Sequence, residues 1–265
     1  MLGLFNNKPL LDEISVQWMY DAFAWALRNF DAQVFFNETM LVTPSNEHFP
    51  GQAASAEDMA GLIFEQVKSH AGLQHWPCRL VTLEAMAEAA PPQLALGARR
   101  GAGLEKVEDS QRLLVAYDPQ QLRAPEVLIA SYAHVLAHYL GAQSPEPPPG
   151  GVENWPHVTE LLAVFLGFGL MMANSANTTK IRSCGSCSGP AVERTNYLSQ
   201  YDITYALAIF CALKGIPASD VLRHLKKSLR PFYKKAAREV ASSRLDLERL
   251  RQTAERLIPA PTVPV

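Results

Sequence analysis

His134 and His138 are the residues whose type and spacing point most directly to chemistry. Four positions apart on a helix, two imidazoles leave the same face one turn from each other. A helix offers two nitrogen ligands to one zinc ion in this way, as in the arrangement H-E-x-x-H. Here the five residues read His134-Val135-Leu136-Ala137-His138. The ligand pair is present, but Val135 stands where a general-base glutamate would take the proton of metal-bound water. With 7 histidines in the chain, an i,i+4 pair also arises without any metal, as two interior imidazoles with ordinary hydrogen-bond partners. Spacing alone leaves both readings open.

Two further groups could carry chemistry. Cys184 and Cys187, in SCGSCSG, form a lone C-x-x-C. A four-ligand structural zinc site needs a second pair, and Cys78 and Cys211 are singletons. A redox pair would sit at a helix start after a strand, whereas this one falls in a Ser/Gly-rich stretch. Two loop thiols without a fixed role, a redox pair and a shared metal site all remain as readings. Arg223, Lys227, Arg230 and Lys234 fall at helical spacing. They read as a solvated charged face or as a surface for an acidic partner; nucleic-acid contact would need stacking aromatics beside them, and only Phe232 and Tyr233 are near.

The histidines need a helix to hold them, and Ala124–Gly141 predicts one that is amphipathic. Pro125 suits its first turn and Gly141 its stop. A buried strand, Leu113–Tyr117, directly precedes it. Ala142–Gly151, AQSPEPPPGG, is a loop by composition. Pro156 opens a helix through Ala173, apolar on all sides and so central, in which Gly167 and Gly169 let a neighbouring helix approach. Upstream, Leu11–Phe30 and Ala56–Ala71 read as helices, the second capped by Ser55. Val34–Val42 and Cys78–Leu83 read as strands, and Glu84–Gly103 as a short helix and a loop. Downstream, Asn174–Arg194 reads as a loop and Tyr201–Lys214 as a helix. Ser219 caps another helix, Pro231 restarts one, and Ala241–Leu257 closes the series.

The chain of 265 residues is 48% hydrophobic with a net charge of −2, which excludes a global pull towards nucleic acid or membrane. Val221–Arg256 carries 11 Lys+Arg against 4 Asp+Glu, so the remaining residues carry 13 against 22. The uncharged run Leu161–Ala173 is too short to span a bilayer. The first residues lack a secretory pattern, and 4 cysteines suit a reducing compartment; a cytoplasmic location is expected.

Four segments, LVTPSNEHFPG, IASYAHVLAHYLG, VTELLAVFLGFGLMMANSA and NYLSQYDITYALAIF, resemble a family of bacterial proteins regarded as gluzincin-type metallopeptidases. Those carry an H-E-x-x-H helix and a downstream E-x-x-x-D helix. The likeness runs from about Leu41 to Leu213. It implies an α+β, zincin-like fold, with a small N-terminal sheet backed by helices and a mostly helical second half. A zincin-like domain is expected over 1–215, and charge and composition add a basic helical extension over 216–258 and a disordered tail over 259–265. His134 and His138 fall on the histidine ligands, Val135 on the catalytic glutamate, Pro156 on the glutamate ligand and Glu160 on the supporting aspartate. A zinc ion would then need a third ligand from Glu160 or His157, or else from Glu153. The expectation is a degenerate site and a pseudo-enzyme that binds a protein partner. The alternatives are an active zinc hydrolase with rearranged ligands and a binder of acidic partners or nucleic acid through the basic helices.

Overall fold

The computed structural model describes residues 9–82, 86, 98–101, 112–176, 181–182, 193–194 and 197–257. Helix α1 (Glu13–Asn29) starts at Asp12 and α2 (Ala32–Asn37) at Asp31, each carboxylate accepting a first-turn N–H. Helix α3 (Ala56–Ala71) starts at Ser55, as its sequence predicts, and stops at Gly72. Strands β1 (Cys78–Thr82) and β2 (Leu113–Tyr117) pair in parallel, from Cys78 opposite Leu113 to Thr82 opposite Tyr117. Helices α4 (Pro125–Gly141), α5 (Trp155–Ala163) and α6 (Gly169–Ser175) follow. A two-residue antiparallel pair, β3 (Ile181–Arg182) and β4 (Glu193–Arg194), leads to α7 (Gln200–Lys214), α8 (Ala218–His224), α9 (Arg230–Ser242) and α10 (Arg244–Glu255). The architecture is α+β.

Helix α4 is the axis of the molecule. It packs on α3, α5, α6 and β2, and every residue from Leu128 to Ala137 is buried. The sequence predicts one apolar face; the structure has apolar surface all round, because only Ser131, His134 and His138 interrupt a run of apolar residues. The Tyr139 hydroxyl donates to the Leu114 carbonyl of β2 at 3.2 Å, and that of Tyr132 to Ala60 of α3 at 3.4 Å. Gly141 lies within the helix and is not a left-handed stop. A Cβ there would meet the Trp155 ring at 2.9 Å and Leu162 at 3.1 Å, so this glycine sets how closely α5 approaches.

The single helix expected from Pro156 to Ala173 is broken. Val164–Phe168 forms one wide turn in which Gly167 has φ +101°. The cause is a main-chain contact: a Cβ on Gly167 would collide with the Met40 carbonyl, and Val42 N–H donates to the Gly167 carbonyl at 3.0 Å. The strand expected over Val34–Val42 is therefore α2 followed by an extended piece laid against this turn. Asp31 caps the helix, and Phe35 stacks on Phe165 with centroids 4.4 Å apart; tertiary packing overrides the β preference of the VFF run. Gly169, by contrast, admits Leu207 of α7, the helix approach expected of it. Val152–Ser175 has the length and composition of a membrane span, but its most apolar window is wholly buried inside the protein.

Residues 216–257 pack on the common core. Val221, Leu225, Tyr233, Val240 and Leu250 belong to the same core as α4; α9 lies along α7 and α10 along α1. The Tyr205 hydroxyl donates to Glu239 at 2.9 Å, and Arg249 pairs with Asp21 at 3.1 Å. Helix α8 starts from Pro217, not Ser219. Asn174 ties three elements together. Its amide donates to Glu126 at 2.7 Å and to the His224 carbonyl at 2.9 Å, while its oxygen accepts from Lys226 N–H at 2.9 Å.

The loop after Val42 carries His48, which meets His70 of α3 and links stability to pH. His48 Nδ1 bonds Thr43 Oγ1 at 2.9 Å, and His70 Nε2 bonds the His48 carbonyl at 2.7 Å. Burial, then the neighbouring His70, holds His48 below the ordinary imidazole value of 6.5, against an opposing pull from Glu47. The unfolded chain thus takes up the proton first. This contribution to stability is complete above about pH 6.5 and is lost as pH falls through the folded-state value. Urea midpoints at pH 7.5 and 5.5 are expected to differ, and by less in a His48→Gln variant.

Candidate functional site

His134 is 6% exposed and His138 is part-buried. At 3.6 residues per turn they share a face of α4 with Gly141, and that face looks onto Trp155 and Leu162 of α5. His157 and Glu160 lie on the roughly opposite side of α5. Glu160 is 1% exposed. Its Oε1 accepts the Tyr197 N–H at 3.3 Å and its Oε2 the Leu198 N–H at 2.8 Å. Those amides immediately precede Ser199, which caps α7 through a reciprocal pair with Asp202. Both oxygens of the carboxylate thus help to fix the start of α7. His157 meets Trp18 and Tyr197 in edge contacts at 6.3 and 5.5 Å. Glu153 is exposed in the short turn Val152–Asn154.

Among the described residues no third His, Cys, Asp or Glu joins His134 and His138 to form a group able to hold a metal ion. A catalytic zinc needs three protein ligands and an open position; the described residues supply two of the three, so they do not by themselves fit it. Val135 is buried beside His134. Cys184 and Cys187 lie outside the described residues. Burial pushes the thiols of the two described cysteines, Cys78 and Cys211, up to about 12, which disfavours the thiolate at neutral pH.

The basic stripe divides into three parts. Helix α8 ends at His224 and α9 begins at Arg230, so Arg223, Lys227, Arg230 and Lys234 do not share one helix. Arg223 sits 3.8 Å from Asp220. Arg230 turns back, its Nε donating to the Leu225 carbonyl at 2.9 Å, and closes the end of α8. The continuous periodicity is broken at Leu225, whose ψ of 138° is extended.

What the sequence does not signal is a cavity of about 340 Å³ between the first turns of α1, α5 and α7, lined among others by Trp18, His157, Tyr197 and Asp202. The residues come from positions nearly 190 apart, and no local spacing joins them. Trp18 alone reads as one more apolar residue of a helix. No protein-family model, no curated protein and no solved structure matches the chain significantly, so the likeness to metallopeptidases rests on its four sequence segments.

Proposed function

We propose that this protein is metallopeptidase-like, of zincin type, with a degenerate site, and that it acts by binding a protein partner without hydrolysing it. One observation carries the reading: both oxygens of Glu160 hold main-chain N–H groups on the side of α5 away from the histidines. Val135 cannot accept a proton. With Val135 in the glutamate's place the pair lacks an adjacent general base, whose assistance is worth about 10²–10⁴-fold in rate.

The test is peptidase activity and metal content of the purified protein, beside a His134→Ala/His138→Ala control that remains folded by circular dichroism. The expected result is no chelator-sensitive proteolysis in either protein, with or without added zinc. Chelator-sensitive proteolysis that disappears in the control would overturn the proposal. Near-stoichiometric zinc without activity would leave it standing and identify the pair as a retained binding site.

A further inference from the structure

We infer that the cavity at Trp18, His157 and Tyr197 is a binding site for an alkylated ammonium group. It is independent of the reading of the histidine pair on α4. The cavity holds about 340 Å³, at the small end of ligand sites and suited to one cationic head group.

Its walls are rings set steeply to each other. The Trp18 plane meets that of His157 at 81°, and His157 meets Tyr197 at 66°, so the three form a corner and not a stack. A cation within about 6 Å of such rings is attracted by their negative faces. Trp18 is held in place, its indole N–H donating to the Pro149 carbonyl at 2.9 Å. Little ordering is therefore left to binding.

Charge selects the sign of the ligand. Asp202 lines the cavity, and neither lysine nor arginine is among the described lining residues. The positive ends of α1, α5 and α7 point the other way, since each carries about half a charge. Against them stand Asp202, which lines the cavity at α7, and Asp12, whose carboxylate caps α1. Asp202 is the one carboxylate among the described lining residues, and its full charge outweighs the half charge of the α7 end beside it, which favours a cation. Ile14, 83% exposed, and Tyr197, 50% exposed, give it an apolar rim that fits methyl groups better than a bare, strongly hydrated ammonium.

Calorimetric titration of the full chain with tetramethylammonium, choline and an N-acetylated trimethyl-lysine amide tests this. The neutral tert-butyl isostere of choline serves as comparison. All three cations are expected to bind, and the isostere roughly three- to thirty-fold more weakly. Tyr197→Leu, at an exposed position, and Asp202→Asn, which keeps the capping oxygen, should each weaken the cations but not the isostere. Tighter binding of the lysyl compound assigns the group to a protein partner; tighter binding of choline assigns it to a free metabolite. Equal binding of cation and isostere, no binding of any cation at 50 mM (roughly the weakest head-group affinity worth the name), or binding of inorganic phosphate instead would overturn the proposal.

Discussion

A Gly167→Val chain is expected to fail to fold, and Gly167→Ala to lose about 3 kcal/mol or more of stability. Two costs add. The backbone at φ +101° is a conformation an L side chain enters only at about 1–3 kcal/mol. The new Cβ would also strike the Met40 carbonyl, which cannot move away without breaking the bond from Val42 N–H to the Gly167 carbonyl. Since domains of this size are stable by only about 5–15 kcal/mol, the branched side chain exceeds the margin. Gly215→Ala is the control. Its φ is +65° with open space where a Cβ would go, so it bears strain without collision. Denaturant midpoints of the two alanine variants separate the effects, and equal losses would refute the collision.

Glu160→Ala is expected to cost about 3 kcal/mol, lowering the thermal midpoint by roughly 10 °C. The substitution leaves the Leu198 N–H unsatisfied in a buried place and removes the partner of the part-buried Tyr197 N–H. Charge-assisted bonds of this kind are the strong ones. Glu160→Gln keeps one acceptor oxygen and should lose about half as much. The sensitivity of this experiment lies in a chelator. If the carboxylate serves the start of α7, EDTA leaves the difference between wild type and variant unchanged. A difference that vanishes on chelation would mean that Glu160 is a metal ligand after all.

What could be read from the sequence were features written within a few residues of each other. Ser55 with Asp58 marks the start of α3, the LLVAY run marks β2, and Pro125 marks the first turn of α4. Residues 142–151 were legible as a loop by composition. Illegible were features decided by contacts across the chain. Phe35 is helical because Asp31 caps it and Phe165 stacks on it. The helix after Pro156 breaks because Met40 lies against Gly167. The same division runs through the site. The i,i+4 spacing puts His134 and His138 on one face, but nothing local tells which side of α5 turns towards them. His157 and Glu160 share the other side, where the partners are Trp18, from α1, and two amides before α7. The stripe from Arg223 to Lys234 shows the converse error: correct spacing for a helix that ends at His224.

The packing of α10 on α1, with Arg249 against Asp21, has a consequence for the order of events at the ribosome. More than two hundred residues separate those partners, so α1 emerges long before the surface that covers it exists. At about 5–20 residues per second, its apolar side waits roughly ten to fifty seconds for α10. A nascent chain arrested before residue 244 should therefore be more protease-sensitive around Asp21, where α10 packs on α1, and release of the last helix should protect that part.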